Sequence, residues 1–168
     1  ENAIKIARAA TGRPGVIAFS GSFHGRTNLC MGLTGKVVPY KKGFGPFTPS
    51  IYHAPFPAEY LGVSADDSLS ALQQLFKSDI EPEKVAAIII ELIPHNIGAV
   101  LPQPGFLERL RELATKHGTV LVFDEVITGF RHGLGGYQAV AGVTPDLTTL
   151  GKAMANGWPV SALGGKAE

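Results

Sequence analysis

Cysteine and charged residues are both scarce in this chain of 168 residues. Cys30 is the single cysteine, so no disulfide can form within the chain, and a reducing, cytoplasmic setting is predicted. Charged residues make up 17% of the sequence, with a net charge of +1 and no basic run. Nucleic acids and anionic membrane surfaces call for a stronger positive field, so neither is predicted as a partner.

Long apolar runs are missing as well. The longest of them, such as Val85–Ile90, fall far short of the roughly 20 residues that a membrane-spanning helix needs. Apolar residues nevertheless account for 45% of the chain, which is typical of a globular protein rather than a disordered one. A chain of this length can form one domain with a core of its own.

Apolar segments typical of strands alternate with amphipathic segments typical of helices. The predicted strands are Val16–Ser20, Lys84–Ile93, Thr119–Phe123, Leu147–Leu150 and Val160–Leu163. The predicted helices are Asn2–Ala10, Arg26–Leu33, Ser64–Phe76 and Pro104–His117. The segment Thr34–Val63, rich in glycine, proline and aromatic residues, is predicted to be a long functional loop. This alternation predicts an α/β fold with a mostly parallel sheet flanked by helices.

Polar segments follow four of the predicted strands, at Ser22–Arg26, Glu91–Gly98, Asp124–Gly129 and Lys152. Ligands of open α/β sheets bind beyond the carboxyl ends of the strands, so these segments are candidate site residues. Taken singly, Asp124 and Lys152 could each pair with the other or with backbone groups. Taken together they suit pyridoxal 5'-phosphate (PLP), which needs a lysine amine for its aldehyde and an acid beside its pyridine nitrogen. Phe23 could stack on the cofactor ring or equally serve as a core aromatic.

Other chemistries match the sequence less well. Leu121–Glu125 resembles the Walker B strand of an ATPase, but the nearest candidate for a phosphate loop, Gly32–Val37, has the wrong spacing and lacks the Ser/Thr. An ATPase or a non-catalytic binding module therefore stays as the alternative of another class. No Gly-x-Ser-x-Gly motif supports a hydrolase. No metal site is predicted, because the histidines are isolated and most are expected on loops or the surface: His24, His53, His95, His117 and His132.

A motif with a fixed spacing connects the chain to a known family. Phe123–Gly129, followed by Pro145–Lys152 so that Lys152 comes 28 positions after Asp124, resembles the signature of class III aminotransferases. The resemblance covers the whole chain. It implies the large domain of a fold-type I PLP enzyme that moves an amino group between two small molecules, an amino acid or ω-amine and an oxo acid or aldehyde. It also implies a homodimer or a larger oligomer.

The resemblance also implies roles for individual residues. Lys152 would form the covalent bond with PLP and then carry the proton between substrate and cofactor. Asp124 would pair with the pyridine nitrogen of PLP. Val126 and Phe23 would pack on opposite faces of the ring, and His24, in the same turn as Phe23, would be a further cofactor contact.

Two subfamilies share features with the chain. Gly21–Phe56 is most similar to 4-aminobutyrate aminotransferases, in which the arginine that matches Arg26 can hold a substrate carboxylate. The second half is more similar to glutamate-1-semialdehyde aminomutases, and Asn96 and Ile127 replace a glutamate and a glutamine of the aminobutyrate enzymes. Glu91 lies where the family has a glutamate near the active site. The predicted substrate contacts are therefore Arg26, Glu91 and Asn96, and the aminomutase reaction stays as an alternative.

The two ends of the chain do not resemble the ends of a domain. Glu1–Arg8 already has the pattern of a helix interior, and Gly164–Glu168 follows an apolar run without a closing helix. We therefore expect residues 1–168 to be the central part of the PLP-binding large domain, with the phosphate loop upstream and the small C-terminal domain downstream. Alone, such a piece is expected to bind PLP weakly and to be inactive. The phosphate of PLP is anchored by a loop at a helix N-terminus, and that loop is expected upstream of this piece.

Overall fold

The computed structural model describes residues 1–166. Its strands are β1 (Gly15–Phe19), β2 (Ile51–Ala54), β3 (Val85–Glu91), β4 (Val120–Asp124), β5 (Leu147–Leu150) and β6 (Ala162–Gly165). Its α-helices are α1 (Asn2–Thr11), α2 (Asn28–Leu33), α3 (Ala65–Ser78), α4 (Phe106–His117) and α5 (Gly136–Ala141). The strands form one sheet in the order β2-β1-β3-β4-β5-β6. All neighbouring strands are parallel except β5 and β6, so the predicted α/β fold with a mostly parallel sheet is confirmed.

The central strands are buried on both faces, which explains their continuous apolar sequences. Every residue of β1 and β3 is buried. Helices α3 and α4 cover one face, where Phe19 meets Phe56 and Phe106 edge-on at ring-centroid distances of 6.3 and 6.0 Å. Helices α1 and α2 cover the other face through residues such as Ile4 and Leu33. This packing leaves the carboxyl ends of the strands facing the loops that hold the polar segments.

Local signals in the sequence set several helix ends. Helix α3 begins with a capping box, in which the Ser64 hydroxyl accepts from the N–H of Asp67 and the Asp67 carboxylate accepts from the N–H of Ser64. Helices α1 and α4 end at Gly12 and Gly118, both with left-handed backbones that glycine adopts without strain. Helix α2 begins at Asn28 rather than at the predicted Arg26, because Thr27 is its N-cap residue.

Two elements were absent from the sequence prediction, and one was misplaced. Strand β2 lies inside the predicted loop Thr34–Val63, so that prediction was wrong there; it pairs with β1 at the sheet edge and is half-buried at three of four residues. Helix α5 was not predicted, because six residues are too few to show helical periodicity. Strand β6 covers Ala162–Gly165 instead of Val160–Leu163 and runs antiparallel to β5. No helix within residues 1–166 has both the length and the apolar character needed to cross a bilayer.

Candidate active site at the carboxyl edge of the sheet

Asp124 ends β4 and lies at the centre of the polar edge of the sheet. In the parallel register it stands beside Glu91 of β3 and Thr149 of β5. The turn after β1 reaches the same place, since its Phe23 contacts Glu91 and its His24 contacts Asp124. Three of the four polar segments predicted from the sequence are therefore in direct contact.

His24 and Asp124 form a buried pair. The Nδ1 atom of His24 lies 2.7 Å from Oδ2 of Asp124, and the two side chains are 1% and 9% exposed. His24 lies in the irregular turn after β1, in keeping with the expectation that most histidines lie on loops or the surface, although its side chain is buried. The second carboxylate oxygen of Asp124 accepts a hydrogen bond from the N–H of Val126 at 3.1 Å.

These contacts set the charge of Asp124. Burial on its own raises the pKa of this carboxyl, because it removes water from the anion. The hydrogen bond and electrostatic attraction of His24, together with the N–H of Val126, outweigh that effect and leave the pKa below its usual value. Asp124 is therefore an anion at neutral pH, although it is buried.

A cavity of about 450 Å³ opens beside this pair. His24, Asp124, Val126 and Thr149 contribute to its walls, together with the first residues of α1. The Nε2 atom of His24 is buried and finds no hydrogen-bond partner in the described part of the chain. Cavities of this size hold ligands as large as cofactors. A buried carboxylate next to an apolar wall suits a flat, cationic pyridine ring, so the residues present fit PLP.

Glu91 holds the turn that carries Phe23 and His24. Its Oε2 atom accepts a hydrogen bond from the N–H of Phe23 at 2.7 Å, and its Oε1 atom lies 3.4 Å from Nδ1 of His95. Burial raises the pKa of Glu91, only partly offset by His24 and the N–H of Phe23. The Glu91 carboxylate is therefore engaged by a backbone N–H group of the protein, that of Phe23. Its predicted contact with substrate stays a prediction.

Arg26 and Asn96, the other two predicted substrate contacts, both adjoin Tyr40. The Arg26 guanidinium lies 5.7 Å from the centre of the Phe23 ring and 5.4 Å from that of the Tyr40 ring. The hydroxyl of Tyr40 donates to Oδ1 of Asn96 at 3.0 Å. The Phe23 ring thus lies in an aromatic and cationic group of side chains next to the His24–Asp124 pair. Tyr40 was missed by the sequence analysis, because nothing in its neighbourhood sets it apart from the other aromatics of the loop.

Lys152 stands just past the carboxyl end of β5. It begins a short 3-10 turn, Lys152–Met154, and its φ of 42° lies in the left-handed region that non-glycine residues seldom adopt. Backbone strain of this kind concentrates at functional sites. Thr149 and Leu150 line the cavity, whereas the exposed Lys152 does not. Its predicted covalent bond with PLP stays a prediction.

Glu125 is completely buried but faces away from the cavity. Its two carboxylate oxygens accept hydrogen bonds from the Thr128 hydroxyl, the N–H groups of Tyr137 and Gln138, and the Gln138 side-chain amide. In the sequence, Glu125 stands out only as half of an ATPase-like Asp-Glu pair. In the structure it anchors the N-terminus of α5 and the turn after β4.

Within residues 1–166, no group of three or more His, Cys, Asp and Glu side chains is arranged to hold a metal ion.

Comparison with known proteins connects this geometry to a family. A family model described as aminotransferase class III matches residues 1–168. The chain is 49% identical over 169 residues to 5-aminovalerate aminotransferase DavT of Pseudomonas aeruginosa, covering 100% of this chain and 40% of that protein. It is 46% identical to 4-aminobutyrate aminotransferase GabT of Escherichia coli, with the same coverage. It is 45% identical over 167 residues to glutamate-1-semialdehyde 2,1-aminomutase of Syntrophobacter fumaroxidans, covering 98% of this chain and 37% of that protein. The chain spans about 40% of the length of the first two relatives.

A solved structure shares the fold. Taurine:2-oxoglutarate aminotransferase from Bifidobacterium kashiwanohense, in complex with PLP and glutamate, aligns with a TM-score of 0.87 and 29% identity. The alignment covers 96% of this chain and 39% of that one. The predicted likeness to the fold of PLP-dependent transaminases is thereby confirmed.

Proposed function

Because the chain belongs to the class III aminotransferase family, which depends on PLP, we propose that the protein containing it transfers an amino group from an amino acid to an oxo acid. One observation carries the proposal. The buried His24–Asp124 pair, in which the pKa of Asp124 is lowered, stands on the wall of a cavity of about 450 Å³ at the carboxyl edge of a parallel sheet.

Each residue of the site has a physical task in this proposal. PLP, when bound, supplies an electron-withdrawing ring that stabilises negative charge on the substrate carbon. Asp124, as an anion, holds a proton on the pyridine nitrogen, and His24 keeps the carboxylate oriented. Val126 and Phe23 would restrain the two faces of the ring. Lys152 would supply the amine that holds the cofactor and would move a proton at the substrate carbon.

We propose that the amino donor carries a carboxylate remote from its amino group. Arg26 is exposed, and the ion pairs found among residues 1–166 do not include it. Its forked donors therefore remain available to a carboxylate. The names of the relatives DavT and GabT refer to 5-aminovalerate and 4-aminobutyrate, which are donors of this kind.

The test uses the full-length protein. We expect PLP and borohydride to label one peptide, the one that contains Lys152, and the protein to transfer the amino group of 5-aminovalerate to 2-oxoglutarate. Lys152→Ala should lose both the label and the transfer, whereas Lys36→Ala, an exposed lysine elsewhere, should keep both. A label on any other lysine, or full transfer by Lys152→Ala, would contradict the proposal.

The aminomutase reaction is a second candidate, because the chain is 45% identical to an aminomutase and departs from the aminobutyrate enzymes at Asn96 and Ile127. It transfers the amino group within one substrate and needs no separate oxo acid. Conversion of glutamate-1-semialdehyde without added acceptor, combined with no transfer from 5-aminovalerate, would establish the aminomutase and rule out the aminotransferase.

We also propose that the protein acts in the cytoplasm as a homodimer or a larger oligomer. The proposal is supported by the single cysteine and by large apolar side chains on the surface, among them Leu134 and Trp158, which are 94% and 75% exposed. Exposed apolar side chains of this size are commonly buried in subunit interfaces. Light scattering of the full-length protein should give at least twice the mass of one chain; a monomeric mass would contradict this.

A further inference from the structure

Tyr40 lies in the loop between α2 and β2 and contacts three of the residues around the site. Its half-buried ring is 4.7 Å from the Phe23 ring, centre to centre. Its hydroxyl donates to Oδ1 of Asn96 at 3.0 Å. Its ring centre lies 5.4 Å from the Arg26 guanidinium carbon. One side chain thus connects an exposed cation, the aromatic next to the cavity and a loop that follows β3.

The Arg26 guanidinium is held by aromatic rings rather than by acids. It lies within about 6 Å of two ring centres, the range in which a cation is attracted to an aromatic face. A guanidinium that rests on rings keeps its in-plane N–H donors free, and two of these match the two oxygens of a carboxylate. The position of the Arg26 guanidinium therefore depends on the two rings. The position of the Tyr40 ring depends in turn on its hydrogen bond to Asn96.

Asn96 supplies a second, independent observation. Its Nδ2 atom is buried and has no hydrogen-bond partner among residues 1–166. Buried donors of this kind are normally paired. The unpaired amide of Asn96 and the Arg26 guanidinium both adjoin Tyr40, so two groups rich in hydrogen-bond donors flank this one side chain.

We propose that Tyr40 is a positioning residue that holds Arg26 in place to bind the remote carboxylate of the amino donor. The proposal rests on the proposed function and adds that contact between Tyr40 and Arg26 sets the preference for donors that carry a carboxylate. The Tyr40 ring keeps the guanidinium oriented, and the hydroxyl fixes the ring through Asn96. Tyr40 itself touches neither the cofactor nor the reacting atoms.

The two parts of Tyr40 can be removed separately. Tyr40→Phe keeps the ring and removes the tether to Asn96, whereas Tyr40→Leu removes both. Phe44→Leu is a matched control, because Phe44 lies in the same loop and is 58% exposed. Arg26→Gln removes the guanidinium that the Tyr40 ring is proposed to orient.

The assay compares amines with and without a carboxylate in the full-length protein loaded with PLP. 5-Aminovalerate and pentylamine share the reacting amine and the chain length, and only the first carries a carboxylate. Tyr40→Leu should raise KM for 5-aminovalerate about twofold to fivefold, the effect of losing one exposed cation–π contact, with kcat nearly unchanged. Tyr40→Phe should have a smaller effect. Pentylamine kinetics and the Phe44→Leu variant should be unchanged.

A binding measurement separates failure of this proposal from failure of the proposed function. Pentanoate carries the carboxylate and no amine, and its affinity, followed by NMR titration, does not depend on turnover. Tyr40→Leu should weaken pentanoate binding by the same factor, and it should have no further effect in the Arg26→Gln background. If no amine is transferred, the proposed function fails. Weaker pentanoate binding by Tyr40→Leu would still support the role of Tyr40 in positioning Arg26. Equal effects on both amines, no effect on pentanoate, or no pentanoate binding by the unaltered protein would overturn it.

Discussion

Replacement of Glu125 should destabilise the segment that runs from the turn after β4 to the first turn of α5. Glu125 is 0% exposed, and its carboxylate accepts four hydrogen bonds at distances between 2.6 and 3.1 Å. Two of the donors are the N–H groups of Tyr137 and Gln138 in the first turn of α5, which have no partner within the helix. The other two are the Thr128 hydroxyl and the Gln138 amide, so the carboxylate joins the turn after β4 to α5.

The expected size of the effect follows from this count. A hydrogen bond to a charged acceptor contributes about 1.5–3 kcal/mol, and a buried donor left unpaired costs about 1–3 kcal/mol. The four bonds share one acceptor, so their contributions do not add. Glu125→Ala should therefore lower the free energy of unfolding by about 4 kcal/mol. Glu125→Gln keeps one acceptor oxygen but turns an NH₂ group toward the remaining donors, and about half that loss is expected.

Urea unfolding and amide hydrogen exchange of the full-length protein measure these effects. Glu125→Ala should unfold at a lower urea concentration, and the amides of Tyr137 and Gln138 should lose protection first. Glu112→Ala is the matched control, since this exposed helical glutamate should change stability by no more than about 0.5 kcal/mol. If Glu125→Ala behaved like Glu112→Ala, or if the Tyr137 amide kept its protection, the anchoring role of Glu125 would be refuted.

Two further predictions concern the same part of the sheet. A Cβ atom at Gly136 would lie 2.5 Å from Oε2 of Glu125, whereas Gly142 has a similar φ and open space around it. Gly136→Ala should therefore destabilise the protein by clearly more than the roughly 1–2 kcal/mol expected of Gly142→Ala, as urea unfolding will show; equal losses would mean that the close approach has no cost. Because the pKa of Asp124 is lowered by folding, its contribution to stability is fully present above its unfolded value of about 3.9 and is lost as the pH falls through the lower folded value. Asp124→Asn should thus flatten the dependence of the urea midpoint on pH below about pH 4, and an unchanged slope would show that this carboxyl gains nothing from His24.

The sequence predicts the edge of the sheet at which the chemistry lies, because parallel strands bring their carboxyl ends together. That rule alone places Asp124 near Glu91 and near the turn after β1. It does not predict that His24 is the residue that reaches Asp124, since 100 positions separate the two along the chain. The pairing depends on how the turn after β1 is held, and the acceptor that holds it is the Glu91 carboxylate, in another strand.

The sequence does not reveal β2 and α5, two elements that depend on tertiary contacts for their stability. Strand β2 has little apolar pattern, because it lies at the sheet edge and depends on β1 for its hydrogen bonds. Helix α5 has no side-chain cap of its own, and its first N–H groups are satisfied by Glu125, more than ten residues earlier. Neither feature produces a local signal, since propensity and periodicity describe only neighbouring residues.

The adjacent carboxylates of Asp124 and Glu125 show how the fold separates two residues that the sequence presents as a pair. Successive residues of an extended strand point to opposite faces, so Val122 packs with α1 while Phe123 packs with α4. Asp124 continues toward the first face and meets the cavity, whereas Glu125 continues toward the second and meets Tyr137 and Gln138. An ATPase would need both carboxylates at one metal and one water. Here Glu125 is fully engaged on the opposite face of the sheet, so the ATPase-like pattern arises from strand geometry and only Asp124 is left for chemistry in the cavity.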